Sequence, residues 1–250
     1  PTYFLPSFGF PASDNLISAD LDGIVPKLAT GRLSVINTEE VSIYLDKIRG
    51  FDQQVNLGQS LEERDWVKQI VHLSGGGLPT EQLTIRNLLG NMAGEIEQNE
   101  FGGNVNSFFK TSSDPIEESR EQAIFNRINT GTSLVTFFGH SSSQGFDFNI
   151  DNPSNYANID RYPLMFSLGC YSGDAFTSLR SIGERFVLLP HKGAIAFGAS
   201  KGLGYISVLG VFGRKYYELL GGEMYGRSIG EILNGSISSF QDQGSFTFRI

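Results

Sequence analysis

Residues Leu134–Gly145 read LVTFFGHSSSQG, a short apolar run that stops on a glycine, a histidine and three serines. A run of that length, rich in β-branched and aromatic residues and opening at Ser133, predicts a strand buried on both faces. Its abrupt end puts His140 at the rim of a sheet. Three more runs read the same way: KQIVHL (Lys68–Leu73), PLMFSL (Pro163–Leu168) and GAIAFG (Gly193–Gly198). Helical patterns lie between and around them. Asn37, with Glu40 three residues on, predicts a capped helix whose apolar face is Val41, Leu45 and Ile48. Thr80 predicts a second cap, ahead of Leu83, Leu88 and Met92. Further helices are expected over Glu117–Asn129, Phe176–Leu189, Val208–Leu220 and Ser228–Ser238, and Asn99–Pro115 is the least structured region by composition. Strands alternating with helices predict an α/β fold, a three-layer α/β/α sandwich around a largely parallel sheet.

With 250 residues, 40% of them hydrophobic, the chain can build a large core. A formal net charge of −8 without clustered Lys and Arg argues against a nucleic-acid partner or an anionic membrane surface. No run of eighteen apolar residues is present, so no transmembrane helix is expected. The opening PTYFLPSFGFPASD has no initiator Met and starts in an apolar stretch, which predicts a domain excised from a longer multidomain parent chain. Cys170 is the single cysteine, so no internal disulfide staples the fold.

In an open parallel sheet, functional groups gather beyond the carboxyl ends of the strands. Here those ends are LSGGG (Leu73–Gly77), FGHSSS (Phe138–Ser143), LGCYSGD (Leu168–Asp174) and FGASKGLGY (Phe197–Tyr205). His140 and Cys170 each follow a strand directly. A cysteine with a histidine in reach is a nucleophile with its base, and glycine-flanked turns around Gly139 and Gly173 can offer N–H groups to an oxyanion. A serine-elbow alternative uses Ser141 with Asp147 or Asp174 and His191, but it lacks the closing glycine and the helix such an elbow needs. His72 reads as a structural residue inside a strand and His191 as a loop residue. Gly198, Gly202 and Gly204 mimic a dinucleotide loop at the wrong end of the chain, and LSGGGLP lacks the Lys-Ser/Thr of a phosphate loop. Asp14, Asp20 and Asp22 before Gly23 offer hard oxygens to calcium, although the spacing is not that of an EF-hand and such turns are more often solvated. No other metal or cofactor is expected.

These segments together resemble the catalytic domain of the gingipain family of cysteine peptidases, found on secreted and surface proteins of Bacteroidetes-type bacteria. The resemblance runs through SDNLISADLDGIVPKLATGRLSVINTEEVSIYLDKIRGFD, GTSLVTFFGHSSSQGF, YPLMFSLGCYSGDAF, SIGERFVLLPHKGAIAFGAS and YGRSIGEIL. It implies a caspase-like fold, a single gingipain-like peptidase domain over residues 1–250, a secreted or cell-surface location, and peptide or protein substrates. It further implies His140 as general base and Cys170 as nucleophile.

The sequence departs from the family pattern in three places. His140 is followed by Ser141 where the family has glycine, so the Ser141 N–H must serve in the oxyanion hole. Glycine, Gly75 or Gly76, stands where the family places the acid that orients the histidine, so no acidic orienter is expected. Leu78-Pro79-Thr80 carries no acid where arginine-specific members have an aspartate. The expected substrate pocket is therefore apolar, walled by Leu78, Leu168 and Tyr205, with Lys201 repelling basic side chains. Two alternatives remain: a catalytically degenerate domain kept for binding or surface assembly, and a sortase-like transpeptidase.

Overall fold

The computed structural model describes residues 7, 9, 12–19, 25–57, 60–110, 118–175 and 179–241. Its strands are Gln69–Ser74 (β1), Asn104–Phe109 (β2), Leu134–Phe138 (β3), Leu164–Leu168 (β4) and Ala196–Ala199 (β5). All pair in parallel, in the order β2-β1-β3-β4-β5. Every residue of β1, β3 and β4 is buried, which matches runs in which apolar residues predominate and the few polar ones, such as His72, Thr136 and Ser167, are buried with them. β2 lies in the region expected to be least structured. It is an edge strand whose Asn104, Asn106 and Ser107 interrupt the apolar signal, because an edge carries less burial on both faces.

The helices are Thr38–Leu57 (α1), Pro79–Glu97 (α2), Glu118–Thr130 (α3), Ile182–Leu188 (α4), Ile206–Gly221 (α5) and Ile229–Gln241 (α6). One core joins α2, α5 and α6 to one sheet face through Ile85, Leu89, Phe138, Leu168, Tyr216 and Ile232. The other joins α3 and α4 to the opposite face through Val71, Ile128, Phe137, Met165 and Phe186. Alternation along each strand divides its side chains between these two layers. α4 is shorter than expected, since Ser181 caps it in a reciprocal box with Glu184. Residues 176–178, also assigned to that helix from the sequence, lie outside the described residues.

α1 starts where Asn37 and Glu40 predict, with the Asn37 side chain accepting from the Glu40 N–H at 2.9 Å. Its buried face is different from the expected one, for Val41 and Leu45 are exposed. Lys47 is 2% exposed and reaches the carbonyls of Phe186, Val187, Lys192 and Ala194 at 3.2, 2.9, 2.7 and 2.8 Å. It thereby supplies donors for carbonyls at the carboxyl end of α4, which have no partner inside that helix. The Tyr44 hydroxyl donates to the Ile195 carbonyl, and Phe51 meets Trp66 edge-on. A pattern that equates charge with exposure places this helix a fraction of a turn wrong.

Chain order reverses beside β1, which leads outward to β2 on one side while β3, β4 and β5 follow on the other. Such a switch point opens a crevice beyond the carboxyl ends of β1 and β3, where Gly75–Gly77 and His140 lie.

Candidate active site

β3 and β4 pair with Phe138 opposite Leu168, so His140 and Cys170 each stand two residues beyond the same register point. The Ser141 hydroxyl ties the two strand ends together by donating to the Cys170 carbonyl at 2.7 Å. Tyr171 then takes a left-handed conformation, φ 55°, which turns the chain sharply after the cysteine. Its N–H donates to the Gly202 carbonyl at 2.9 Å, and the Gly173 N–H to the Ser200 carbonyl at 2.9 Å. The loop after β5 thus holds the loop after β4. Gly204 completes the link: its N–H lies 3.4 Å from the Cys170 sulfur, and the thiol donates to its carbonyl at 3.6 Å.

An acid does reach the imidazole, against the expectation of none. His140 Nε2 lies 3.0 Å from each carboxylate oxygen of Glu81. Glu81 comes from the first turn of α2, not from the end of β1. It was hidden because Thr80 looks like a cap, whereas the helix begins at Pro79 with Leu78 as N-cap. A Pro at the first helical position followed by a Glu at the third is the signal that locates it. The Glu81 carboxylate also accepts from the N–H of Gly77, at 2.7 Å, and of Leu78. Partial burial works against its charge, yet these donors and His140 outweigh it and hold the carboxyl below the ordinary glutamate range.

A second carboxylate sits behind the loop. Asp147 Oδ2 accepts from the Gly76 N–H at 2.8 Å and faces Lys110 Nζ at 3.8 Å, and the Asp147 N–H donates to the His140 carbonyl at 2.8 Å. A Cβ on Gly75 would come within 2.1 Å of Asp147 Oδ1, so the acid fills the space that a side chain at position 75 would need. The amides of Gly76 and Gly77 are both taken by these acids, which disposes of the phosphate-loop reading.

Because its folded-state pKa is lowered, Glu81 contributes stability that is complete above its unfolded value, about 4.3, and is lost as pH falls through the lower folded value. The gap in denaturation midpoint between wild type and Glu81→Gln is therefore expected to be open at neutral pH and to shrink as pH falls below about 4. A gap that persists undiminished below about pH 3 contradicts the lowered carboxyl.

Ser141 does not adopt a positive φ, so the family's glycine is not required there. The accommodation is made across the strand instead: a Cβ on Gly169 would lie 2.2 Å from Ser141 Oγ. Gly169→Ala is expected to destabilise the protein by about 2 kcal/mol. Adding Ser141→Gly should recover part of the loss, a non-additivity that a thermal double-mutant cycle reads directly. The N–H groups of Ser141 and Cys170 donate to no other group among the described residues.

The remaining expectations divide. Leu78 and Tyr205 are exposed beside the site, but Leu168 is only 1% exposed and belongs to the core beneath it. Lys201 lines a cavity of about 450 Å³ on the far side of the Cys170 loop, where its charge favours the ionised form of Asp14. Neither His140 nor Cys170 lines that cavity. Asp14 is paired with Arg32 at 2.7 Å, whereas Asp20, Asp22 and Gly23 of the calcium reading lie outside the described residues. Among the described residues no cluster of His, Cys, Asp and Glu could hold a metal, and no helix is long and apolar enough to cross a membrane. The serine elbow fails on geometry. Ser141 leads into a bridge with Phe146 instead of a helix, and His191 lies before β5, at the opposite rim of the sheet. His72 is buried with its Nε2 2.8 Å from the Tyr217 hydroxyl, and burial pushes it down to about 3, so it is a neutral core residue.

Fold and sequence define a cysteine-peptidase-type domain with a caspase-like α/β/α architecture. The chain belongs to peptidase family C25, whose family model matches residues 1–247. It is similar in fold to the crystal structure of the Arg-specific cysteine proteinase gingipain R (RgpB), with TM-score 0.74 and 17% identity over 96% of this chain and 57% of that one. A complex of the Porphyromonas gingivalis RgpB pro- and mature domains gives TM-score 0.71 and 16% identity over 96% of this chain and 57% of that one. The chain thus spans a little over half the length of these structures. No curated protein matches it.

Proposed function

We propose that this domain is a cysteine peptidase that cleaves peptide bonds through a Cys170–His140 dyad oriented by Glu81. The observation that carries the reading is the register of β3 and β4, which delivers both groups two residues past paired strand ends, with a carboxylate on the imidazole. With Nε2 committed to Glu81, Nδ1 is left to serve the thiol. His140 takes the thiol proton as sulfur attacks the substrate carbonyl carbon, and the unclaimed N–H groups of Ser141 and Cys170 receive the oxyanion. The tetrahedral species collapses as His140 passes its proton to the leaving amine, which leaves a thioester on Cys170. Water, deprotonated by His140, then releases the acid and restores the thiol. Glu81 fixes the ring and stabilises the imidazolium formed in both halves. No step calls for a metal or cofactor. The family resemblance extends the proposal to a single peptidase domain over residues 1–250 of a longer parent chain, acting outside the cell on protein substrates.

One observation favours the silent-domain reading: the sulfur's hydrogen-bond partners are both on Gly204, and it makes no hydrogen bond to His140. Catalytic contacts often tighten only when substrate binds, so the dyad reading stands on placement. Incubation with an unstructured protein, followed by mass spectrometry of the fragments, separates the two. Cleavage by the wild type that is lost in Cys170→Ala supports the peptidase, whereas identical profiles contradict it.

A further inference from the structure

Four large apolar side chains left exposed by the fold stand on the loops that touch the two reacting groups. Leu78 is 66% exposed, Tyr171 41%, Leu203 67% and Tyr205 71%. Leu78 follows Gly77, at which an added Cβ would lie 3.9 Å from His140 Nε2. Tyr171 follows the nucleophile itself. Leu203 and Tyr205 flank Gly204, whose backbone holds the sulfur. The bond from the Tyr171 N–H to the Gly202 carbonyl joins the second and third of these loops. Exposed apolar side chains scattered singly need no explanation, but a set drawn from three loops around one nucleophile marks a contact surface.

Two acids beside this rim are already committed. A substrate Arg or Lys that loses its water needs a carboxylate to receive it. Glu81 is occupied by the N–H groups of Gly77 and Leu78 and by His140. Asp147 is occupied by the Gly76 N–H and faces Lys110, behind the histidine loop. Diverting either acid to a substrate cation would release the histidine or the loop that carries its orienter.

We propose that the site takes peptides with an uncharged apolar residue, aliphatic or aromatic, immediately before the scissile bond, and disfavours Arg and Lys there. This rests on Cys170 being the nucleophile of a peptidase. Leu78, Tyr171, Leu203 and Tyr205 then form the surface against which that side chain loses its water. The gingipain R structure is of an Arg-specific enzyme, so the two would share a fold and differ in the residue they accept.

The test uses four peptidyl acyloxymethyl ketones that differ only in the residue next to the reactive group: Leu, Phe, Arg or Lys. Rates of Cys170 labelling are read by intact mass and normalised to the rate with iodoacetamide, which reports the thiol alone. The Leu and Phe probes are expected to label about tenfold or more faster than the Arg and Lys probes, the discrimination one apolar contact supplies. Leu78→Ser and Tyr205→Ser, both at exposed positions, should each lower the normalised Leu and Phe rates several-fold. Fastest labelling by the Arg or Lys probe, or equal rates for all four, overturns the specificity while leaving the peptidase intact. If no peptidyl probe outpaces iodoacetamide and His140→Ala changes none of the rates, the peptidase reading itself falls and the specificity with it.

Discussion

His140→Ala is expected to lower kcat/KM for peptide cleavage by about 10²–10⁴-fold, the usual worth of a positioned general base. The loss should fall mainly on kcat, because the ring acts on protons in flight and not on the bound substrate. Glu81→Gln should also lower kcat, by up to about 10⁴-fold, because the amide loses the charge that favours the imidazolium and can hold the ring in the wrong tautomer. A Glu81→Gln variant with wild-type kcat would show that the carboxylate does not position the ring. If His140→Ala left kcat unchanged, the dyad would be wrong.

The largest expected effect on stability is far from this chemistry. Lys47→Met should destabilise the protein by about 3 kcal/mol or more, since each buried acceptor left without a donor costs about 1–3 kcal/mol, measured as a shift in denaturation midpoint at unchanged m-value. The ammonium serves four carbonyls from the end of α4 and the loop before β5, and it lies 4.7 Å from the Tyr162 ring centroid. Burial pushes its pKa down to about 7. Methionine fills similar volume but removes this donor from the carbonyls of Val187, Lys192 and Ala194, while Phe186 keeps the Ala194 N–H. Because α4 leads into β5, whose following loop holds the Cys170 sulfur, the damage should extend to the site, and Cys170 should become more accessible to iodoacetamide. A loss below about 1 kcal/mol would show that water replaces the ammonium at little cost.

The contrast between Lys47 and Cys170 shows what was legible in the residues alone. β1, β3 and β4 were readable because strands buried on both faces are mainly apolar, and their ends pointed to His140 and Cys170 without any knowledge of their pairing. β2 was not, because an edge strand tolerates Asn104 and Asn106 on its faces. The inward face of α1 was misread because its anchor is a lysine whose partners are backbone carbonyls more than a hundred residues away, which no local pattern can reveal. Glu81 is an intermediate case: its helix position was one residue from being recognised, but its approach to His140 depends on how α2 packs across the sheet end. The fit of Ser141 against Gly169 is likewise a matter of register, visible only when β3 and β4 lie side by side.

The most direct test of the central claim is to trap the acyl-enzyme. A peptide ester with an apolar residue at the acyl position is mixed with the protein at neutral pH, quenched in acid within milliseconds to seconds, and the intact mass is recorded. The account predicts a transient gain equal to the peptide acyl group, mapped to Cys170, slowed in His140→Ala and absent in Cys170→Ala. Ester consumption that proceeds equally in Cys170→Ala, with no acyl mass on Cys170 in the wild type, would contradict it.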